Sequence, residues 1–148
     1  MEANKDFKEL LALFNAREVD YMIVGAHALA FHGSPRYTGD LDIFVRPDEE
    51  NGNKILQALN DFGFGSLGLT LEDVSLAGKV VQLGHPPLRI DLVTSITGIS
   101  WNEAAENRIR GQYGDAPVFY LGKSELIRNK KALARKKDLA DIEALGED

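Results

Sequence analysis

The sequence predicts an α/β fold of the α+β kind, in which a small mixed β-sheet is flanked by helices. Two apolar runs, Tyr21–Val24 and Asp40–Val45, have the length and composition of buried strands. The segment between them carries apolar residues at helical spacing. The chain has 148 residues, of which 44% are hydrophobic, which is enough for one core. No linker divides it, so residues 1–148 are expected to form a single domain.

Two amphipathic helices are predicted outside these first strands. Residues 4–16 form the first, and its apolar stripe consists of Phe7, Leu10, Leu11 and Phe14. The second follows Val45, where Asp48 can cap its first turn. Its apolar stripe consists of Ile55, Leu56, Leu59 and Phe62. Glycines 63, 65 and 68 then predict a loop, and Thr70–Ala77 another short helix.

The second half of the chain predicts further strands and a helical end. The run Lys79–Leu83, which Gly78 and Gly84 enclose, and Leu88–Val93 are predicted as antiparallel neighbours, because the prolines between them form a rigid connection. A short helix at Trp101–Asn107 and a strand at Val118–Leu121 follow. Two more helices are expected, capped by Ser124 and Asp138. The inward residues of the last one are predicted to be Leu139, Ile142 and Leu145.

Composition excludes several classes of site. The formal net charge of −6 argues against general polyanion binding, although a local basic patch remains compatible with it. Without cysteine, the chain can form neither disulfides nor thiolate sites. The start of the chain has no signal-peptide pattern, and no apolar run has membrane-spanning length. A cytoplasmic protein without a membrane partner is therefore expected.

Two carboxylates at the start of the second strand are the first candidates for chemistry. Asp40 and Asp42 are two residues apart, so both point to one face of the strand, while Leu41 and Ile43 point to the other. Like charges held side by side repel, and a hard divalent cation is the natural compensation. The alternative is a solvated strand start, because acidic pairs are common at strand ends.

A glycine between a strand and a helix provides the second feature. Gly25 and Ala26 lie where free backbone N–H groups and the helix dipole favour a phosphate. A phosphate cradle beside a metal-holding carboxylate pair indicates chemistry on a nucleoside triphosphate.

Asp91 is the natural third carboxylate, because an aspartate inside an apolar strand needs a partner. A two-metal site would use such an acid from a neighbouring strand. The alternative for Asp91 is an ion pair with Arg89, which shares its strand face.

These stretches resemble the nucleotidyltransferase superfamily, which has the polymerase-β-like fold. The resemblance rests on Gly25-Ala26, residues 33–38, Asp40-Leu41-Asp42-Ile43 and Arg89-Ile90-Asp91-Leu92. It is closest to the small bacterial AbiEii-type and minimal nucleotidyltransferase-like proteins. That family usually has Gly-Gly or Gly-Ser at positions 25 and 26, so this chain lacks one hydroxyl contact there.

The resemblance implies a Mg²⁺-dependent enzyme that moves a nucleoside monophosphate from a triphosphate to an acceptor hydroxyl. Asp40, Asp42 and Asp91 would be the catalytic residues and the ligands of a two-metal site. By resemblance, Lys130 would reach the triphosphate, and Arg135 would support the site or pair with Asp138. The remaining predicted nucleotide contacts are Gly25, Ala26, Ser34, Arg36 and Thr38. Ordinary turn hydrogen bonds and ion pairs are the alternative for Ser34, Arg36 and Thr38.

Other functions remain open at this stage. The fold can serve as a catalytically idle binding or regulatory protein, for instance in a toxin–antitoxin pair. A metal-dependent glycosyltransferase with the Asp40–Asp42 pair is a third reading, and basic residues after Lys123 could hold a nucleic-acid backbone. The sequence selects neither ATP, CTP, GTP nor UTP. It leaves the acceptor open between tRNA, a protein, a small molecule and an antibiotic, and it does not fix the oligomeric state.

Overall fold

The computed structural model describes residues 3–34, 39–85 and 88–146. This part of the chain contains seven α-helices, six strands and a 3₁₀ turn at Gly65–Leu67. The helices are α1 (Lys5–Ala16), α2 (Gly25–Phe31), α3 (Glu49–Asp61), α4 (Leu71–Ser75), α5 (Trp101–Glu106), α6 (Lys123–Leu133) and α7 (Lys136–Ala144). The strands are β1 (Tyr21–Val24), β2 (Asp40–Val45), β3 (Val80–His85), β4 (Leu88–Val93), β5 (Ile109–Tyr113) and β6 (Ala116–Tyr120).

All six strands form one mixed sheet in the order β3-β4-β2-β1-β6-β5. β4 runs parallel to β2 and antiparallel to β3, which confirms the predicted antiparallel pair. β1 runs antiparallel to β2 and parallel to β6. β5 and β6 form an antiparallel hairpin at one edge. The predicted mixed sheet flanked by helices is therefore confirmed. Within the described residues, no helix is long and apolar enough to cross a membrane.

Strand β2 changes character along its length. Asp40 and Asp42 are partly exposed, whereas Leu41, Ile43 and the last two residues of the strand are buried. Phe44 lies on the same face as the two aspartates because side chains alternate along a strand. The Trp101 ring packs edge-on against Phe44 at 5.1 Å between centroids. The apolar half of this face is therefore covered by α5, and its acidic half is not.

A polar network fixes the opposite end of β2. The Asn51 side chain is fully buried, accepts a hydrogen bond from the Asp20 amide at 2.8 Å and donates to the carbonyls of Asp20 and Arg46 at 3.0 Å. Asp48 caps α3 as predicted, because its carboxylate accepts from the Asn51 amide at 2.8 Å. These bonds tie the start of β1 and the end of β2 to α3.

Four local expectations differ from the structure. Strand β5 was not predicted, because Ile-Arg-Gly-Gln-Tyr is a mostly exposed edge strand with little apolar alternation. Helix α6 begins at Lys123 after Gly122, so Ser124 is not its cap. Asp138 is not the cap of α7 either: it occupies the third helical position, and its carboxylate accepts a hydrogen bond from the Arg135 amide at 3.1 Å. Leu139 is 54% exposed, whereas Ile142 and Leu145 are buried as predicted.

Helix α6 ends on an alanine in the left-handed conformation. Ala134 has φ +53° and ψ 24°, and its amide donates to the Lys130 carbonyl at 2.9 Å. A Cβ is unfavourable in this conformation by about 1–2 kcal/mol, which glycine avoids.

We expect Ala134→Gly to raise the free energy of unfolding by about 1 kcal/mol, because it removes this strain. Urea denaturation measures the change. Ala140→Gly is the matched control: Ala140 is exposed within α7, so glycine there should lower stability by about 0.5–1 kcal/mol. A loss of stability in both variants would contradict the assignment of strain to Ala134.

Candidate active site

The three predicted catalytic carboxylates lie on two neighbouring parallel strands. In the register of β2 and β4, Asp42 pairs with Asp91 and Asp40 pairs with Arg89. Residues paired in this way project from the same face of a sheet. The structure therefore brings Asp40, Asp42 and Asp91 together, with Arg89 among them.

Arg89 forms ion pairs with two of these three acids. Its Nε lies 3.0 Å from Asp91 Oδ1, and one terminal nitrogen lies 3.3 Å from Asp91 Oδ2 and 3.3 Å from Asp40 Oδ2. The hydrogen bond with Asp91, and then the charges of Asp91, Asp40 and Asp42, raise the pKa of the Arg89 guanidinium. The sequence left two roles open for Asp91, an ion pair with Arg89 and a place in the carboxylate cluster. In the structure, Asp91 pairs with Arg89 and also lies in the carboxylate cluster.

The clustering of carboxylates affects the pKa of Asp42. Burial, and then the charges of Asp91 and Asp40, raise the pKa of Asp42 to about 6, and a hydrogen bond with the Asp91 carboxylate acts in the same direction. The Arg89 charge opposes this shift and is the smallest of these effects. Asp42 is thus the carboxylate that gains most from any added positive charge.

Gly25 lies directly against the Asp42 carboxylate. It follows β1, opens α2 and has φ +66°. A Cβ added at this position would lie 2.3 Å from Asp42 Oδ2. Glycine is therefore required here both by the left-handed backbone and by the close approach of the carboxylate. The sequence had singled out Gly25 for phosphate binding, and the contact with Asp42 is an additional reason that the pattern did not reveal.

The other predicted nucleotide contacts have different surroundings. Ala26 lies in the first turn of α2. Ser34 lies beyond the end of that helix, and its amide donates to the Leu29 carbonyl at 3.1 Å. Arg36 and Thr38 lie outside the described residues. The nucleotide-binding roles of these four positions therefore stay predictions.

Lys130 and Arg135 belong to a second charged cluster, where α6 meets α7. The buried Lys130 ammonium lies 2.9 Å from Asp141 Oδ2 and 3.5 Å from Asp138 Oδ1. Arg135 binds both oxygens of Asp138, at 2.6 and 3.1 Å, so the expected Arg135–Asp138 pair is confirmed. The cluster joins the last two helices, and triphosphate binding by either cation stays a prediction.

No group of three acidic, histidine or cysteine side chains in the described ranges is arranged to hold a metal ion. A guanidinium contacts Asp40 and Asp91, and a hydrogen bond links Asp42 with Asp91. Carboxylate oxygens on one face of adjacent strands are the donor type that a hard divalent cation prefers. The predicted metal ligands are Asp40, Asp42 and Asp91, and that role stays a prediction.

A surface groove of about 710 Å³ lies away from these carboxylates. It is bordered by α1 and by the β5–β6 turn, and its lining includes Lys5, Ala12, Asn15 and Pro117. None of the residues predicted for catalysis lines it. The groove is therefore separate from the acidic cluster.

Stability should fall with rising pH because of Asp42. Its pKa is raised in the folded state, so the folded protein is favoured while Asp42 is protonated and loses this advantage as pH rises from about 4 through about 6. Asp42→Asn should therefore gain about 2 kcal/mol over the wild type between pH 4.5 and pH 7.5, measured by urea denaturation.

Asp73→Asn provides a contrast, because the pKa of Asp73 is lowered whereas that of Asp42 is raised. Hydrogen bonds from the Thr70 backbone and side chain lower the pKa of Asp73, so its stabilising effect is present above its ordinary pKa and is lost as pH falls. A pH-independent difference between the wild type and Asp42→Asn would contradict the shift assigned to Asp42.

Gly25→Ala should be more destabilising than glycine replacement at a comparable backbone angle. Gly68→Ala is the control, because Gly68 has φ +73° and an added Cβ meets no atom within 4 Å. We expect a loss of about 1–2 kcal/mol for Gly68→Ala from backbone strain alone, and a larger loss for Gly25→Ala from the contact with Asp42. Equal losses in chemical denaturation would show that the Asp42 carboxylate does not press against Gly25.

Comparison with known proteins places the fold. The chain matches no protein-family model, and no curated protein sequence matches it. Among solved structures, the lincomycin-bound lincosamide antibiotic adenylyltransferase LnuA is 16% identical, with a TM-score of 0.59 over 98% of this chain and 97% of that one. The antibiotic-resistance factor ANT(2'')-Ia is 13% identical, with a TM-score of 0.61 over 95% and 80%.

A third similar structure is an antigenic nucleotidyltransferase-like protein from Paracoccidioides brasiliensis. It is 17% identical, with a TM-score of 0.53 over 97% of this chain and 75% of that one. These identities are low, so the likeness establishes the fold, while the resemblance to AbiEii-type proteins stays a prediction. The chain has the fold of the nucleotidyltransferase superfamily.

Proposed function

We propose that the protein is a nucleotidyltransferase, which moves a nucleoside monophosphate from a nucleoside triphosphate to an acceptor hydroxyl. The acceptor oxygen forms a bond to the α-phosphorus, the bond from that phosphorus to the bridging oxygen breaks, and pyrophosphate leaves. The observation that carries the proposal is the position of Asp40, Asp42 and Asp91 on one face of two adjacent parallel strands. The similarity of the whole fold to nucleotidyltransferases supports it.

Each carboxylate has a distinct role in this proposal. Asp40 and Asp42 would hold Mg²⁺, which supplies positive charge to the triphosphate and the leaving group. Asp91 would complete the metal site and accept the proton of the attacking hydroxyl. Gly25, Ala26, Ser34 and the residues around them would orient the phosphates through backbone and hydroxyl donors.

The nucleotide and the acceptor define the rest of the proposal. The triphosphate would be steadied further by Arg36, Thr38, Lys130 and Arg135. An antibiotic hydroxyl is one acceptor class to test, because two structures of this fold belong to a lincosamide adenylyltransferase and an antibiotic-resistance factor. A tRNA end and a protein hydroxyl are the other classes.

Pyrophosphate release tests the activity directly. The purified protein is incubated with Mg²⁺ and each of ATP, CTP, GTP and UTP, with lincomycin, other hydroxyl-bearing antibiotics, tRNA or a protein extract as the acceptor. We expect release with at least one pair. Asp42→Asn and Asp91→Asn should reduce the rate by about 10²-fold or more, because each removes an oxygen ligand or the proton acceptor.

The matched control is Asp6→Asn, which changes an exposed aspartate in the first turn of α1 and should leave the rate unchanged. Activity that survives in Asp42→Asn would show that the carboxylate cluster is not the reaction site. Nucleotide binding without release for any acceptor would favour the alternative, a binding or regulatory protein such as a toxin–antitoxin component.

A further inference from the structure

One guanidinium lies among the three carboxylates that the proposed function assigns to a metal. Arg89 contacts both oxygens of Asp91 and one oxygen of Asp40, at 3.0–3.3 Å. Its charge also acts on Asp42. A divalent cation held by the same oxygens would meet this positive charge at close range, and the two would repel.

The Arg89 side chain could move away from Asp40 and Asp91 while its backbone stays in place. Its amide donates to the Gly39 carbonyl at 3.0 Å, which holds the backbone against the start of β2. Its side chain is 27% exposed and its partner Asp40 is 40% exposed, so the guanidinium lies near solvent. Movement of the side chain therefore requires no rearrangement of the strand.

The second charged cluster of the chain shows the contrast. The side chains of Lys130, Asp138 and Asp141 are 7%, 0% and 8% exposed. Ions buried to this degree are costly to separate, because each would be left without compensation. The Arg89 side chain is 27% exposed, and its partners Asp40 and Asp91 are 40% and 12% exposed, so solvent screens these pairs more than the Lys130 cluster, above all at Asp40. The ion pairs of Arg89 are therefore easier to separate than those of the Lys130 cluster.

We propose that Arg89 is an exchangeable counter-ion: it compensates Asp40 and Asp91 in the metal-free protein, and its guanidinium leaves them when a divalent cation binds. Arg89 is thus a positioning residue that competes with the cation. The inference rests on the proposed function for its metal site. It explains why the donor oxygens are present on one face while no group of acids in the described part of the chain is arranged around a metal.

Binding of Mn²⁺ without nucleotide tests the exchange. Free Mn²⁺ is measured by its electron paramagnetic resonance signal while the wild type, Arg89→Gln and Arg89→Lys are titrated. In Arg89→Gln the metal no longer has to displace the ion pairs with Asp40 and Asp91, so the dissociation constant for Mn²⁺ should be about tenfold lower. Arg89→Lys keeps the charge and should stay close to the wild type.

Arg17→Gln is the matched control. It removes one positive charge from a different ion pair, in which a terminal nitrogen of Arg17 lies 2.8 Å from Asp61 Oδ2. It should not change Mn²⁺ affinity.

Thermal unfolding gives a second readout. Without metal, Arg89→Gln should be less stable than the wild type, and Mn²⁺ should raise the Tm of Arg89→Gln by more than it raises the Tm of the wild type. A purely structural role would instead weaken metal binding in Arg89→Gln.

The failures of the two proposals are distinguishable. Equal or weaker Mn²⁺ binding by Arg89→Gln, with binding lost in Asp42→Asn, would overturn the exchange and leave the metal site intact. Absence of Mn²⁺ binding in the wild type and in Arg89→Gln alike would overturn the exchange together with the metal role of the carboxylates.

Discussion

The parallel register of β2 and β4 is the constraint on which the candidate site depends. It pairs Asp42 with Asp91 and Asp40 with Arg89, so three acids and one guanidinium must share one face of the sheet. Burial, and then the charges of Asp91 and Asp40, raise the pKa of Asp42. This arrangement costs stability in the absence of a cation.

The surrounding fold keeps this costly arrangement in place. The Asn51 network holds the far end of β2 to α3, and Trp101 covers the apolar half of the strand face. Gly25 allows the Asp42 carboxylate to approach the start of α2. The core thus fixes the backbone of the two strands, while the Arg89 side chain lies near solvent.

Period-two alternation was sufficient to place Asp40 and Asp42 on one face, and the need of a buried acid for a partner pointed to Asp91. The β2–β4 register could not be predicted, because strand pairing depends on contacts between segments distant in the sequence. For the same reason the burial of Lys130 between Asp138 and Asp141 was missed, although the Arg135–Asp138 pair was expected. Leu139 follows the apolar pattern of α7 but is exposed, since one side chain of a stripe need not reach the core.

Diffraction from crystals soaked with Mn²⁺ and a non-hydrolysable nucleoside triphosphate tests the central claim most directly. Anomalous scattering locates the metal without reference to the protein model. The account predicts an ion coordinated by oxygens of Asp40, Asp42 and Asp91, with the triphosphate beside Gly25 and with the Arg89 guanidinium moved away from the carboxylates. An ion bound elsewhere, or a triphosphate bound while Arg89 still contacts Asp40 and Asp91, would contradict it.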